Sequence, residues 1–114
     1  MTPIYKILSR AEWRAAQAAG QFVGSAVDLA DGYIHFSAAA QAQETATKWF
    51  AGRDDLVLLT VDADALGEAV RWETSRGGAL FPHLFAPLRI DQVLAERPLL
   101  LDASGAPDLG ELAA

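Results

Sequence analysis

Apolar residues fall along this chain in short runs, and their spacing switches between the two-residue period of strands and the longer period of helices. Ile4 to Leu8 is a run of strand-favouring residues, and Ser9 with Glu12 three positions later forms the capping-box pattern that opens a helix. That helix carries Trp13 and stops after its alanines at Gly20, a residue that enters the left-handed conformation without steric cost. The next dozen residues show neither period and are predicted to be irregular.

Asp31-Gly32 is a turn signal that opens Tyr33-Ile34-His35-Phe36-Ser37. Alternation there places Ile34 and Phe36 on one face and Tyr33, His35 and Ser37 on the other. Ser37 is placed to cap an alanine-rich helix running to about Phe50, with Ala42, Ala46, Trp49 and Phe50 as its packing face and Gly52 as its end. Leu56 to Val61 is nearly continuous aliphatic sequence, the mark of a central strand buried on both faces. A strand over Ala69–Glu73 sets Val70 and Trp72 against Arg71 and Glu73. Thr74 to Leu84, with Gly77-Gly78 and Phe81-Pro82, is predicted as a loop, and a last strand as Val93–Leu100, interrupted by Pro98. These elements imply one domain over residues 1–102 and a flexible tail over 103–114, rich in small and polar residues.

Composition narrows the function classes. The chain has 114 residues, a formal charge of −6 and no cysteine, so one domain with its own core is expected and thiol chemistry is excluded. The acidic balance opposes general nucleic-acid binding, which needs a basic stripe. No apolar stretch is long enough to span a bilayer and no secretory leader is evident, so a cytoplasmic location is the expectation.

Four polar positions alternate with apolar neighbours on short strands: His35, Ser37, Arg71 and Glu73. His35 reads equally as a sheet-edge ring held by one backbone partner or as a group in a cleft. Glu73 reads as an ion pair with Arg71 or Arg76, or as a strand-end carboxylate presented beside a glycine-rich loop. No serine sits in a nucleophile elbow, which weighs against a Ser-His-acid hydrolase. His35, His83 and Glu73 have the composition of a two-histidine, one-carboxylate metal set, but lack any local ligand pair, so no metal is expected.

The segments IYKI, the EW of the first helix, DGYIHFS, Gln41, DLVLLTVD, RWE and GGALFPHLF together resemble the DUF952 family over nearly the whole chain. Through that family the chain is similar to the ADP-ribosyltransferase-like superfamily. The resemblance implies an α+β fold with a split, mixed or antiparallel β-sheet and two helices, clasping NAD at its nicotinamide-ribose bond. It implies Glu73 and His35 as catalytic residues, the carboxylate stabilising oxocarbenium character at the anomeric carbon. On the same resemblance Lys6, Tyr33, Ser37, Arg71 and His83 are expected to line the ligand, with Arg76, Gly77 and Gly78 expected at its phosphates. The sequence departs from the superfamily pattern at Lys6, where His or Arg is usual, at Arg71, where Gln or Glu is common, and at Phe85-Ala86. A nucleotide or metabolite binding module without chemistry is the alternative the same fold allows.

Overall fold

The structure, a computed structural model, describes residues 1–114 apart from the side chain of residue 76. The first half of the chain runs β1 (Pro3–Ser9), α1 (Arg10–Ala19), β2 (Gln21–Phe22), α2 (Ala26–Asp31), β3 (Ile34–His35), β4 (Ser37–Ala38) and α3 (Ala39–Trp49). The second half runs β5 (Leu56–Asp62), α4 (Ala63–Leu66), β6 (Val70–Thr74), β7 (Leu80–Leu84), β8 (Leu88–Arg89), β9 (Val93–Pro98), β10 (Leu100–Leu101) and β11 (Pro107–Asp108).

The central sheet has the order β4-β1-β5-β9 and a second sheet the order β3-β7-β6, with β2-β8 and β10-β11 as short pairs. β1 and β5 are the inner strands, and their alternate side chains feed two cores. Ile4, Leu8, Val57, Leu59 and Val61 join Trp13 and Ala16 of α1 and Phe36 on one side. Tyr5, Ile7, Leu56 and Leu58 join Ala42 and Ala46 of α3 on the other. Burial on both faces is why β5 reads as unbroken aliphatic sequence, each such side chain contributing about 1.5–3 kcal/mol.

Local chemistry sets the element ends that position the cleft. The Ser9 hydroxyl accepts from the Glu12 N–H and the Glu12 carboxylate accepts from the Ser9 N–H, each at 3.0 Å, and Gly20 closes α1 in the left-handed region. At α3 the cap is shifted from the expected Ser37 to Ala38, whose N–H is taken by the Gln41 side chain. The Ser37 hydroxyl instead faces Thr45 at 3.3 Å, because Ser37 is paired with Tyr5 in the sheet and points inward.

Several expectations are corrected. Among the described residues every strand pair is antiparallel and there are four α-helices, so the sheet is not mixed and the helices are not two. The stretch predicted irregular contains β2 and α2, too short for periodicity to show. The expected single strand over Tyr33–Ser37 splits at Phe36: β3 pairs with β7 and β4 with β1. Residues 80–84, predicted as loop, form β7 of a hairpin with β6. Pro82 is tolerated there because its carbonyl accepts from the Phe36 N–H, so its backbone polar groups face β3 and the ladder to β6 loses no donor. Trp72, on the face opposite Arg71 and Glu73, is exposed.

The segment 103–114 lies against the α3 side. Leu109 is fully buried, the Gln43 side chain bonds the backbone of Pro107 and Leu109, and the Tyr5 hydroxyl donates to the Ala113 carbonyl at 2.7 Å.

Candidate functional site

β4 pairs with β1 only at Ile4 and Tyr5. Past the Tyr5–Ser37 pair, at the end where the chain arrives from β3, the edge of β1 at Lys6 and Ile7 faces a cleft of about 480 Å³ between the two sheets. Ile7, Val27, Phe36, Trp49, Phe50 and Phe81 form apolar walls, while Lys6, Asp31, Tyr33, His35, Ser37, Thr45, Ser75 and His83 supply polar groups. Volume and lining both suit a small organic ligand.

The second sheet aims its polar residues by register. His35 stands opposite His83, and His83 opposite Arg71. The two-residue period brings Tyr33, Glu73, Phe81 and Phe85 to the same face. The Tyr33 ring stacks on His83 with centroids 4.1 Å apart and lies 4.7 Å from His35, and the two imidazoles meet edge to face at 5.5 Å. The Arg71 guanidinium lies over Phe85 at 4.7 Å. Burial pushes the Tyr33 hydroxyl above its ordinary range, helped by the Asp31 and Glu73 carboxylates, so it stays a neutral donor.

Behind this face lies a residue that the sequence reading did not single out. The Asp28 side chain is wholly buried, and Lys6 Nζ donates to both its oxygens at 3.1 and 2.9 Å. The same carboxylate accepts from the Ser25 N–H and hydroxyl, from the His35 N–H, and meets His35 Nδ1 at 2.6 Å. Burial alone would raise this carboxyl, but the hydrogen bond from His35 and the charge and hydrogen bond of Lys6 outweigh it and hold Asp28 well below the ordinary carboxylate range. Burial also pulls the Lys6 ammonium down against the opposing pull of Asp28. The two tendencies conflict, and the carboxylate governs the pair because it gathers donors from three elements while Lys6 has one ionic partner. The one signal in the sequence for Asp28 is Ser25-Ala26-Val27-Asp28, a capping pattern of the kind that marks α1.

Gly24 makes this packing feasible. Its φ is +121° and an added Cβ would come within 2.7 Å of the Asp28 Cβ. Gly24→Ala is therefore expected to cost about 1–3 kcal/mol, read as a lower denaturation midpoint at unchanged slope.

The two histidines differ. His35 is half-buried and both ring nitrogens meet carboxylates, Nδ1 with Asp28 and Nε2 with Asp31 at 2.9 Å. His83 is buried, and its Nδ1 meets Glu73 Oε1 at 2.8 Å. Of the residues singled out by sequence, Lys6, Tyr33, His35, Ser37 and His83 line the cleft, whereas Glu73 and Arg71 stand outside its lining. Glu73 reaches it through His83. Gly77 lines a second depression of about 320 Å³ that shares Thr45 and Phe81 with the first, and the Gly78 N–H is used by the Ser75 carbonyl. The Arg76 side chain lies outside the described residues. The Ser37 and Ser25 hydroxyls bond Thr45 and Asp28, so neither pairs with a histidine. Among the described residues no group of three His, Cys, Asp or Glu side chains could hold a metal ion, and no helix is long and apolar enough to cross a membrane.

A family model described as "Protein of unknown function (DUF952)" matches residues 7–96. A crystal structure of protein CC0527 from Caulobacter crescentus is similar at 65% identity, with 95% of each chain covered and a TM-score of 0.93. A crystal structure of a double mutant of that protein matches at 63% identity, 95% of each chain and a TM-score of 0.92. Its solution NMR structure matches at 65% identity, 96% of this chain and 95% of that one, with a TM-score of 0.88. No curated protein matches significantly.

Proposed function

The chain belongs to the DUF952 family, and on that footing we propose that its cleft is the active site of an enzyme that breaks the nicotinamide-ribose bond of NAD, passing the ADP-ribosyl group to water or another acceptor. The observation that carries the reading is the convergence of Tyr33, His35 and His83 at the polar end of an apolar cleft, with the Glu73 carboxylate directly behind His83. A flat ring is suited to the aromatic walls. The positive charge that develops at the ribose carbon falls within the field of Glu73 and Asp31.

Nuclear magnetic resonance titration of the labelled chain with NAD, nicotinamide and ADP-ribose tests binding. Saturable shifts are expected at residues 33–37 and 71–83, and their absence at millimolar ligand would end the NAD reading. Glu73→Gln is expected to cut nicotinamide release by about 100-fold or more while leaving NAD affinity nearly unchanged.

One observation favours a second reading, a nucleotide-binding module without turnover. Lys6, the residue that the superfamily resemblance puts beside the ribose, is already neutralised by Asp28. Tight NAD binding with no nicotinamide released by the unaltered chain is the result that reading requires.

A further inference from the structure

Both histidines on the polar face have a carboxylate at Nδ1, but their other nitrogens differ. His35 Nε2 is taken by Asp31. His83 Nε2 has no hydrogen-bond partner among the described residues, although the ring is buried, lines the cleft and is clamped by Tyr33 on one face. Sequence reasoning gives the two histidines the opposite ranking, because DGYIHFS places His35 on an obvious polar strand face while Pro82 disguises the strand that carries His83.

Carboxylate contact at Nδ1 has a specific consequence for an imidazole. It draws the proton of the neutral ring to Nδ1 and leaves the Nε2 lone pair outward, and it stabilises the ring when Nε2 takes a second proton. Stacking on Tyr33 and the cross-strand register with Arg71 and His35 fix where that lone pair sits.

We infer that His83 Nε2 is the proton-accepting atom of the cleft and that Glu73 is a positioning residue acting through His83, while His35 is an anchored element of the wall. The inference rests on the proposed NAD reading only for the identity of the ligand. With NAD and water, the water oxygen bonds to the ribose C1′ as the bond from C1′ to the nicotinamide nitrogen breaks. Both electrons of the broken bond stay on that nitrogen, and nicotinamide leaves neutral. The proton lost by the water goes to His83 Nε2 and from there to solvent, with no oxidation or reduction.

The charged and titratable groups around His83 are Glu73 and Arg71 on β6, His35 on β3 and Tyr33 just before it, Asp28 and Asp31 on α2, and Lys6 on β1. The test must therefore resolve individual ring nitrogens. Histidine ¹⁵N spectra of the full chain, recorded from about pH 5 to 8, do so. Neutral His83 is expected to carry its proton on Nδ1, and Glu73→Ala to move it to Nε2, the form a free imidazole prefers. A proton on Nε2 in the unaltered chain, or a tautomer indifferent to Glu73→Ala, overturns the inference.

A kinetic arm adds a readout that a merely structural histidine would not move. His83→Asn is expected to lower kcat for nicotinamide release by about 100-fold with KM little changed, and an unchanged kcat overturns the inference. If NAD neither shifts the cleft nor releases nicotinamide while the tautomer behaves as stated, the NAD reading falls and the assignment of His83 and Glu73 stands.

Discussion

Asp28→Ala is expected to destabilise the fold by about 3–5 kcal/mol, because it leaves the Lys6 ammonium buried with no counter-charge and strips acceptors from Ser25 and the His35 backbone. The pH dependence separates this cause from a simple loss of packing. In the unaltered chain the Asp28 carboxyl is held below its unfolded value, so its contribution is fully present above about pH 4 and is lost as pH falls toward the folded value, where the unfolded chain binds the proton first. The variant should lose that part of the acid dependence. It should gain another at the alkaline end. With Asp28 gone, burial depresses the Lys6 ammonium unopposed by its main partner, the unfolded chain then holds more protons than the folded one, and stability rises with pH as Lys6 is neutralised in place. Urea unfolding at several pH values checks both slopes, and a variant within about 1 kcal/mol of the unaltered chain at neutral pH would show that the pair contributes little.

Phe36→Ala is expected to cost a similar about 3–5 kcal/mol, for a different reason. Phe36 is almost fully buried in the first core, and its N–H donates to the Pro82 carbonyl at the point where the chain leaves the second sheet for the first. Removing the ring opens a void that neither sheet can close without disturbing the other. Beyond the loss in chemical denaturation, amide exchange should quicken at His35 and Ser37, the residues on either side of the crossing. A stability loss with unchanged exchange there would mean that the ring only fills space.

Much of the frame was readable because its signals are local and redundant. β1 and α1 share the Ser9 and Glu12 capping box and end at Gly20, and β5 announces burial on both faces by having no polar position before Thr60. The polar face was readable for a subtler reason: alternation survives even where strand boundaries are wrong, so Tyr33, His35, Arg71 and Glu73 meet on one side of the second sheet, where His83, expected in a loop, joins them from the unexpected strand β7. Asp28 stayed hidden because its importance comes from Lys6, 22 positions earlier, and from a helix of six residues that no periodicity test resolves. Trp49, assigned to a packing face with Ala42 and Ala46, is exposed and lines the cleft from the last turn of α3.

The register of the strands also governs the order in which the molecule can assemble. The hairpin β6–β7 closes over a short turn, but β1 pairs with β5 and β3 with β7 across long stretches of chain, and such loops must be closed at an entropic cost before their contacts reward it. The cleft is bounded by both sheets, so it exists only after the slowest of these closures. Glu73 and His83, held together within one hairpin, thus become neighbours over a short loop, whereas the pocket beside them needs the long-range pairing of both sheets.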